Sequence, residues 1–160
     1  MSFLNKGVAM GQIKEMKIRV SSLIENLDSA GLPEGDAEKS ELSESGFLKL
    51  DGDGLTLSYT EKGDSSRVAC DIKTSGDTVR VIRSGDVVSE MVFEKGKVHK
   101  SVYRVPPFSF DMEIKTLRLE NSLGANGGKL TLVYNMILGG QVKKCRLSVL
   151  AESSEGGTQG

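Results

Sequence analysis

The stretch from Thr78 to Val105 reads Thr-Val-Arg-Val-Ile-Arg-Ser-Gly-Asp-Val-Val-Ser-Glu-Met-Val-Phe-Glu-Lys-Gly-Lys-Val-His-Lys-Ser-Val-Tyr-Arg-Val. Three short runs rich in β-branched residues are split by Ser84-Gly85-Asp86 and by Glu94-Lys95-Gly96-Lys97. That is the pattern of consecutive antiparallel hairpins with tight, glycine-bearing turns. Side chains alternate across a strand, so Val79 and Val81 share a face with Arg83, and Ser89 and Met91 share one with Phe93. In the third run Lys100 and Arg104 mark the solvent side, which leaves His99, Ser101, Tyr103 and Val105 inside. The inner face of this stretch therefore carries a guanidinium, an imidazole and a phenol as well as aliphatic groups.

The same alternation extends in both directions. Upstream, Met16, Ile18, Val20, Ser22 and Ile24 form one face of a long strand, and Leu55, Leu57, Tyr59 and Glu61 form one face of another. Between them a second strand is expected over Glu41 to Leu50, ending in Asp51-Gly52-Asp53-Gly54, which suits a type I′ turn or a bulged variant. Residues 26–43 are polar and turn-rich and read as a long surface loop, with a short helical turn near Asp36–Ser40 as an alternative. Val68, Cys70 and Ile72 form a fourth inner face. Downstream, Pro106-Pro107 marks a change of direction before Phe108 and Phe110. Met112, Ile114 and Thr116 then alternate, but Leu117 and Leu119 have the opposite parity, so a bulge is expected at Thr116 or Leu117. Leu130, Leu132, Tyr134, Met136 and Leu138 face Cys145, Leu147 and Val149 across the Gly139-Gly140 turn, with Lys144, Arg146 and Ser148 outside.

These runs amount to about ten strands joined by short links, an up-and-down meander. The first and last strands alternate equally well, so pairing them removes two exposed edges at once. The expected fold is all-β: a single closed or nearly closed antiparallel barrel of about 8–10 strands, spanning 13–152. Residues 1–12 read as a flexible arm and 153–160 as a disordered tail. Nineteen Gly against three Pro suits many tight turns and argues against a helix bundle.

Composition excludes several classes of function. With 21 basic and 22 acidic residues the net charge is −1, so no overall field attracts nucleic acid or an anionic membrane. No run approaches the ~18 apolar residues of a membrane helix, and Met1–Gln12 contains no signal-peptide core, so the expected location is the cytoplasm. Cys70 and Cys145 read as buried thiols. The Asp51-Gly52-Asp53-Gly54 turn resembles the start of a calcium loop, but Leu55 and Lys62 occupy positions that require oxygen ligands. No metal or cofactor is expected. Oligomeric state is not readable.

Gly46-Phe47, Leu57-Ser58-Tyr59-Thr60-Glu61, Val81-Ile82-Arg83-Ser84-Gly85, Phe93, Ser101-Val102-Tyr103, Thr116 and Gly128-Lys129-Leu130-Thr131-Leu132-Val133-Tyr134 occur in an order and spacing that resemble the YwiB-like family of uncharacterised bacterial proteins. The resemblance runs from about Lys14 to Glu152 and implies a calycin-type, lipocalin-like barrel in a bacterial protein, with no reaction attached. The chain departs from the family pattern in its 26–43 segment and at Pro107-Phe108.

Parity places Tyr59, Glu61, Arg83, Ser101, Tyr103, Thr116 and Tyr134 on the inside, with Glu61 and Arg83 near strand ends. Two readings follow. Arg83 bridges Glu61 and closes the barrel end, or it presents a planar fork to the anionic group of a small amphipathic ligand. A nucleophile with an activating base is not apparent. His99 and Ser101 are two apart on one strand and project in parallel, and an acid–base pair of Tyr and Glu is the only enzymatic alternative. The leading expectation is a non-enzymatic barrel that binds a small amphipathic or anionic molecule. The rival is an interaction or scaffold barrel filled by its own side chains.

Overall fold

A computed structural model describes residues 13–154. They form ten antiparallel strands: β1 (Ile13–Asn26), β2 (Glu38–Asp51), β3 (Gly54–Lys62), β4 (Arg67–Ser75), β5 (Thr78–Gly85), β6 (Ser89–Phe93), β7 (Val98–Val105), β8 (Phe108–Asn121), β9 (Gly127–Leu138) and β10 (Gln141–Ser153). One sheet contains them all in the order β6-β5-β4-β3-β2-β1-β10-β9-β8-β7, and it curls into a nearly closed barrel. No helix occurs among the described residues, so none is long and apolar enough to cross a membrane.

The strands follow side-chain alternation. Met16, Ile18 and Val20 of β1, Leu55, Leu57 and Tyr59 of β3, Val68, Cys70 and Ile72 of β4, and Leu147, Val149 and Ala151 of β10 are all buried, and their sequence neighbours face outward. At the centre lie Phe93, Leu57, Leu132 and Val149, fully enclosed. Phe93 meets Tyr134 edge to face, ring centroids 4.8 Å apart. The parity change on β8 is a bulge: the register with β9 shifts between Thr116 and Arg118, so Thr116 points inward and Leu117 outward while Leu119 returns to the core side.

β1 and β10 pair along most of their length, from Met16↔Ser153 to Asn26↔Lys143. The barrel's seam therefore falls elsewhere. The link Glu94–Lys97 does not make a hairpin of β6 and β7, as its glycine suggested; the two strands are the free edges of the sheet. They are pinned only at the ends. Val88 and Arg104 exchange two backbone hydrogen bonds of 2.9 Å, and at the other end the Gly96 amide donates to the Thr116 carbonyl at 2.8 Å while the Thr116 amide donates to that of Lys97 at 3.3 Å. The link thus commits its backbone groups to β8 beside the bulge, and β6 and β7 diverge between the pins. A groove lined by Glu90, Val92, His99, Lys100, Ser101 and Ile114 follows the seam.

A second departure concerns the segment 26–43. Strand β2 already begins at Glu38 and pairs with β1 from there to Lys49, so the loop spans only 27–37, and no helical turn forms at Asp36–Ser40. Hydropathy hides this part of the strand, because its side chains are mostly in solvent and only its backbone ladder and contacts such as Ser22 Oγ–Ser40 Oγ (2.6 Å) hold it. In the loop, Asp28 Oδ1 accepts from the Ala30 and Leu32 amides at 2.9 and 3.0 Å, a local turn made by a short carboxylate. Strand β2 pairs with β3 only from Phe47 to Asp51. Gly46 sits where the two part, and a Cβ there would overlap the Ser58 carbonyl oxygen and Ile18 Cδ1.

The turn between β2 and β3 is also not type I′. Gly52 has φ +58°, but Asp53 does not have a positive φ, which is the pattern of a type II′ turn. The arm expected over 1–12 lies outside the described residues, as does 155–160; Ser153 still belongs to β10.

Candidate functional site

Five turns and loops meet at one barrel end: β1–β2, β3–β4, β5–β6, β7–β8 and β9–β10. The inner face there is the polar one. Glu61 is the second-last residue of β3, Arg83 lies near the end of β5, and Lys143 lies near the start of β10. Together with Tyr103, Tyr134, Met91, Met112, Met136 and Leu138 they line a cavity of about 370 Å3, which also reaches Ser22, Ile24 and Arg146. No residue of β2 lines it, although β2 stands between β1 and β3 in the sheet. At this end β2 keeps its ladder to β1 but has parted from β3 at Gly46.

Arg83 and Glu61 approach one another, Nε to Oε1 at 3.4 Å, with side chains 19% and 29% exposed. The contact runs through Nε, which leaves both Nη groups for other partners. Burial disfavours the charged guanidinium, but Glu61, Cys70 and Tyr59 outweigh it and hold the Arg83 pKa above its ordinary value. Lys143 Nζ donates to Asn26 Oδ1 at 2.8 Å across the β1–β10 pair. Among the inward-facing lining residues Arg83 and Lys143 face a single carboxylate, Glu61, so the mouth has an excess of positive charge.

The other expected site residues occupy different places. Tyr134 lines the cavity floor, and its hydroxyl is driven well above the usual phenol range by burial and then by the Cys145 thiol. Tyr59 lies deeper and is buried; burial first, then Cys70, raises its pKa strongly. The Cys70 thiol is itself pushed up by burial, with Arg83 pulling the other way. Thr116 is fully enclosed, and among the described residues its Oγ1 has no hydrogen-bond partner, as is true of Ser89 Oγ. Ser101 faces the seam groove, separate from the mouth. There His99 Nε2 lies 2.8 Å from Glu94 Oε1, and that hydrogen bond holds the Glu94 carboxyl below its usual range.

The structure adds Lys143 and the methionines Met91, Met112 and Met136 to the mouth. The signal for Lys143 was present: it shares parity with Cys145, Leu147 and Val149. A larger depression of about 430 Å3 over Ser21, Lys39, Glu41 and Arg146 lies on the outer surface among hydroxyls and solvated charges, away from the core.

A family model described as a domain of unknown function, DUF1934, matches residues 27–149. The chain belongs to that family. It is also similar to the uncharacterised β-barrel protein YwiB of Bacillus subtilis, 26% identical over 149 residues that cover 93% of this chain and 99% of that one. The crystal structure of YwiB superposes with a TM-score of 0.77 at 25% identity, covering 93% of this chain and 98% of the other. The DUF1934 match begins just after β1 and runs almost to the end of β10, so it includes every mouth residue from Glu61 to Lys143.

Proposed function

We propose that this DUF1934 protein is a non-enzymatic, cytoplasmic barrel that uses its mouth as calycins do, to bind a small amphipathic anion. The cavity carries the reading: about 370 Å3, within the range of small-ligand sites, with Arg83 and Lys143 at its polar side and Met91, Met112, Met136 and Leu138 at its apolar side. Arg83 supplies a planar fork of donors, the geometry that receives a carboxylate or phosphate group. Unbranched methionines fit an apolar tail of irregular shape. Glu61 holds the guanidinium in place from its other edge.

Isothermal titration with decanoate and with decyl phosphate tests the reading. Binding by the wild type, weakened about tenfold or more in Arg83→Met and in Lys143→Met, is the expected result, the size being that of one lost charge-assisted hydrogen bond. A wild type that binds neither amphiphile would leave the filled-barrel scaffold as the better account.

A further inference from the structure

We infer that the binding site continues past the barrel rim along the cavity side of the β7–β8 hairpin, and that its ligand is a long single-chain acyl amphiphile. The anionic end rests at Arg83 and Lys143, and the hydrocarbon runs out over Tyr103, Val105, Phe108 and Phe110. This rests on the reading of the mouth given above.

The hairpin outruns its neighbour. Strand β8 pairs with β9 only from Met112 onward, opposite Leu138, and the Gly139 amide of the β9–β10 turn still donates to the Asp111 carbonyl at 3.1 Å, whereas pairing with β7 starts at Phe108, so Phe108–Phe110 stand beyond the end of β9. At ~3.3 Å per residue this is a projection of roughly 10 Å. Phe108 and Phe110 have the parity of Met112, and Val105 that of Tyr103; Met112 and Tyr103 both line the cavity. Cross-strand pairing sets Tyr103 opposite Phe110 and Val105 opposite Phe108. The inner side of the hairpin is therefore four apolar or aromatic residues that lead directly out of the cavity.

That side is uncovered, with Phe108 64% and Phe110 42% exposed. Two exposed phenylalanines in register on one face mark a surface that meets something apolar. The charged and polar groups of the hairpin, Arg104, Ser109 and Asp111, take the opposite parity, so no polar group interrupts the path. Where the path passes the β9–β10 turn stands Gly139, whose absent side chain would lie 3.4 Å from the Phe110 ring. An apolar strip that ends at a cationic mouth matches one molecule with a charged end and a long tail. A protein surface would need no such polarity along a single line.

The experiment is a chain-length series, octanoate to hexadecanoate, titrated calorimetrically below the micellar concentrations into wild type, Phe108→Ser/Phe110→Ser and Arg83→Met. The wild type is expected to prefer hexadecanoate over octanoate by about a hundredfold or more, given the transfer free energy of each added methylene. In the Phe108→Ser/Phe110→Ser variant that ratio falls to within about threefold, while Arg83→Met weakens both ligands and keeps the ratio. Both phenylalanines are exposed, so an unchanged circular dichroism spectrum and melting temperature are expected of the double variant and serve as its folding control. A wild type that binds octanoate and hexadecanoate equally overturns the inference and leaves the mouth reading in place; a wild type that binds neither overturns both. A wild type that is dimeric by light scattering and becomes monomeric in the double variant assigns the strip to a second copy of the chain and also overturns the inference.

Discussion

Arg83 of β5 and Glu61 of β3 meet across an intervening strand, Nε to Oε1 at 3.4 Å, and Cys70 of β4 is the residue in register with Arg83 between them. Removing one member of such a pair leaves the other charge half-buried, whereas removing both restores an apolar rim. Arg83→Met is expected to lower stability by about 2–3 kcal/mol, and Arg83→Met with Glu61→Leu to recover most of it. Urea midpoints measure this. A double variant no more stable than the single one would mean that Glu61 is not the partner that matters.

Stability is expected to fall in mild alkali. Burial pushes the Cys145 thiol up to about 11, with a partial offset from the Tyr134 hydroxyl, and burial also raises Cys70. An unfolded thiol ionises near pH 8.5, about 2.5 units lower, so between about pH 8.5 and 11 the folded chain holds more protons than the unfolded one. The stabilisation is complete below that window and is lost as pH rises through it, on the order of 3 kcal/mol for Cys145. Urea melts at pH 7 and pH 10.5 test the sign, and Cys145→Ala should flatten the slope. A midpoint that rises with pH would refute it.

Gly46 and Gly124 make a controlled comparison. A Cβ at Gly46 would overlap the Ser58 carbonyl oxygen and Ile18 Cδ1, whereas one at Gly124 would meet nothing within 4 Å. Gly46→Ala is expected to cost about 2–3 kcal/mol, because backbone must shift to admit it, and Gly124→Ala to be within about 0.5 kcal/mol of neutral. Equal melting temperatures for the two variants would show that Ser58 and Ile18 do not press on Gly46 in solution.

The seam predicts a pattern of amide exchange. Val88 and Arg104 turn their backbone groups into the seam, so alternation directs those of Glu90 and Val92, and of Lys100 and Val102, the same way, where β6 and β7 have no ladder. These four amides should exchange about a hundredfold or more faster than those of Leu132 and Val149, which are flanked by strands on both sides. Protection as strong as that of Leu132 would mean that the seam is zipped in solution.

What the sequence conveys is which way a side chain points, not how deep it sits or which strand lies beside it. Alternation alone placed Met16, Tyr59, Arg83 and Tyr134 inside, and the reversal at Leu117 located the bulge. Depth separates Glu61 and Tyr134 in the mouth from Tyr59 and Thr116 below it, and parity has no term for depth. Ser101 has inward parity yet faces the groove, because β7 is an edge. The seam itself was illegible: Glu94–Lys97 has turn chemistry, and nothing in it shows that its amides bond to β8. Lys143 has the inward parity of Cys145, which Lys144 beside it does not share, and a lysine at an inward position is seen only when the alternation of β10 is applied to each residue in turn.

The ladder that joins β1 to β10 has a consequence for biosynthesis. Strand β1 leaves the ribosome early and acquires β2 soon afterwards, but its other flank waits until Lys143–Ser153 has been translated. Contacts this distant along the chain form slowly, and an unfinished sheet with an open flank is the species that sticks to its own kind. Until then the nascent polypeptide carries Ile18 and Val20 without Ala151 and Val149, the residues that finally lie beside them.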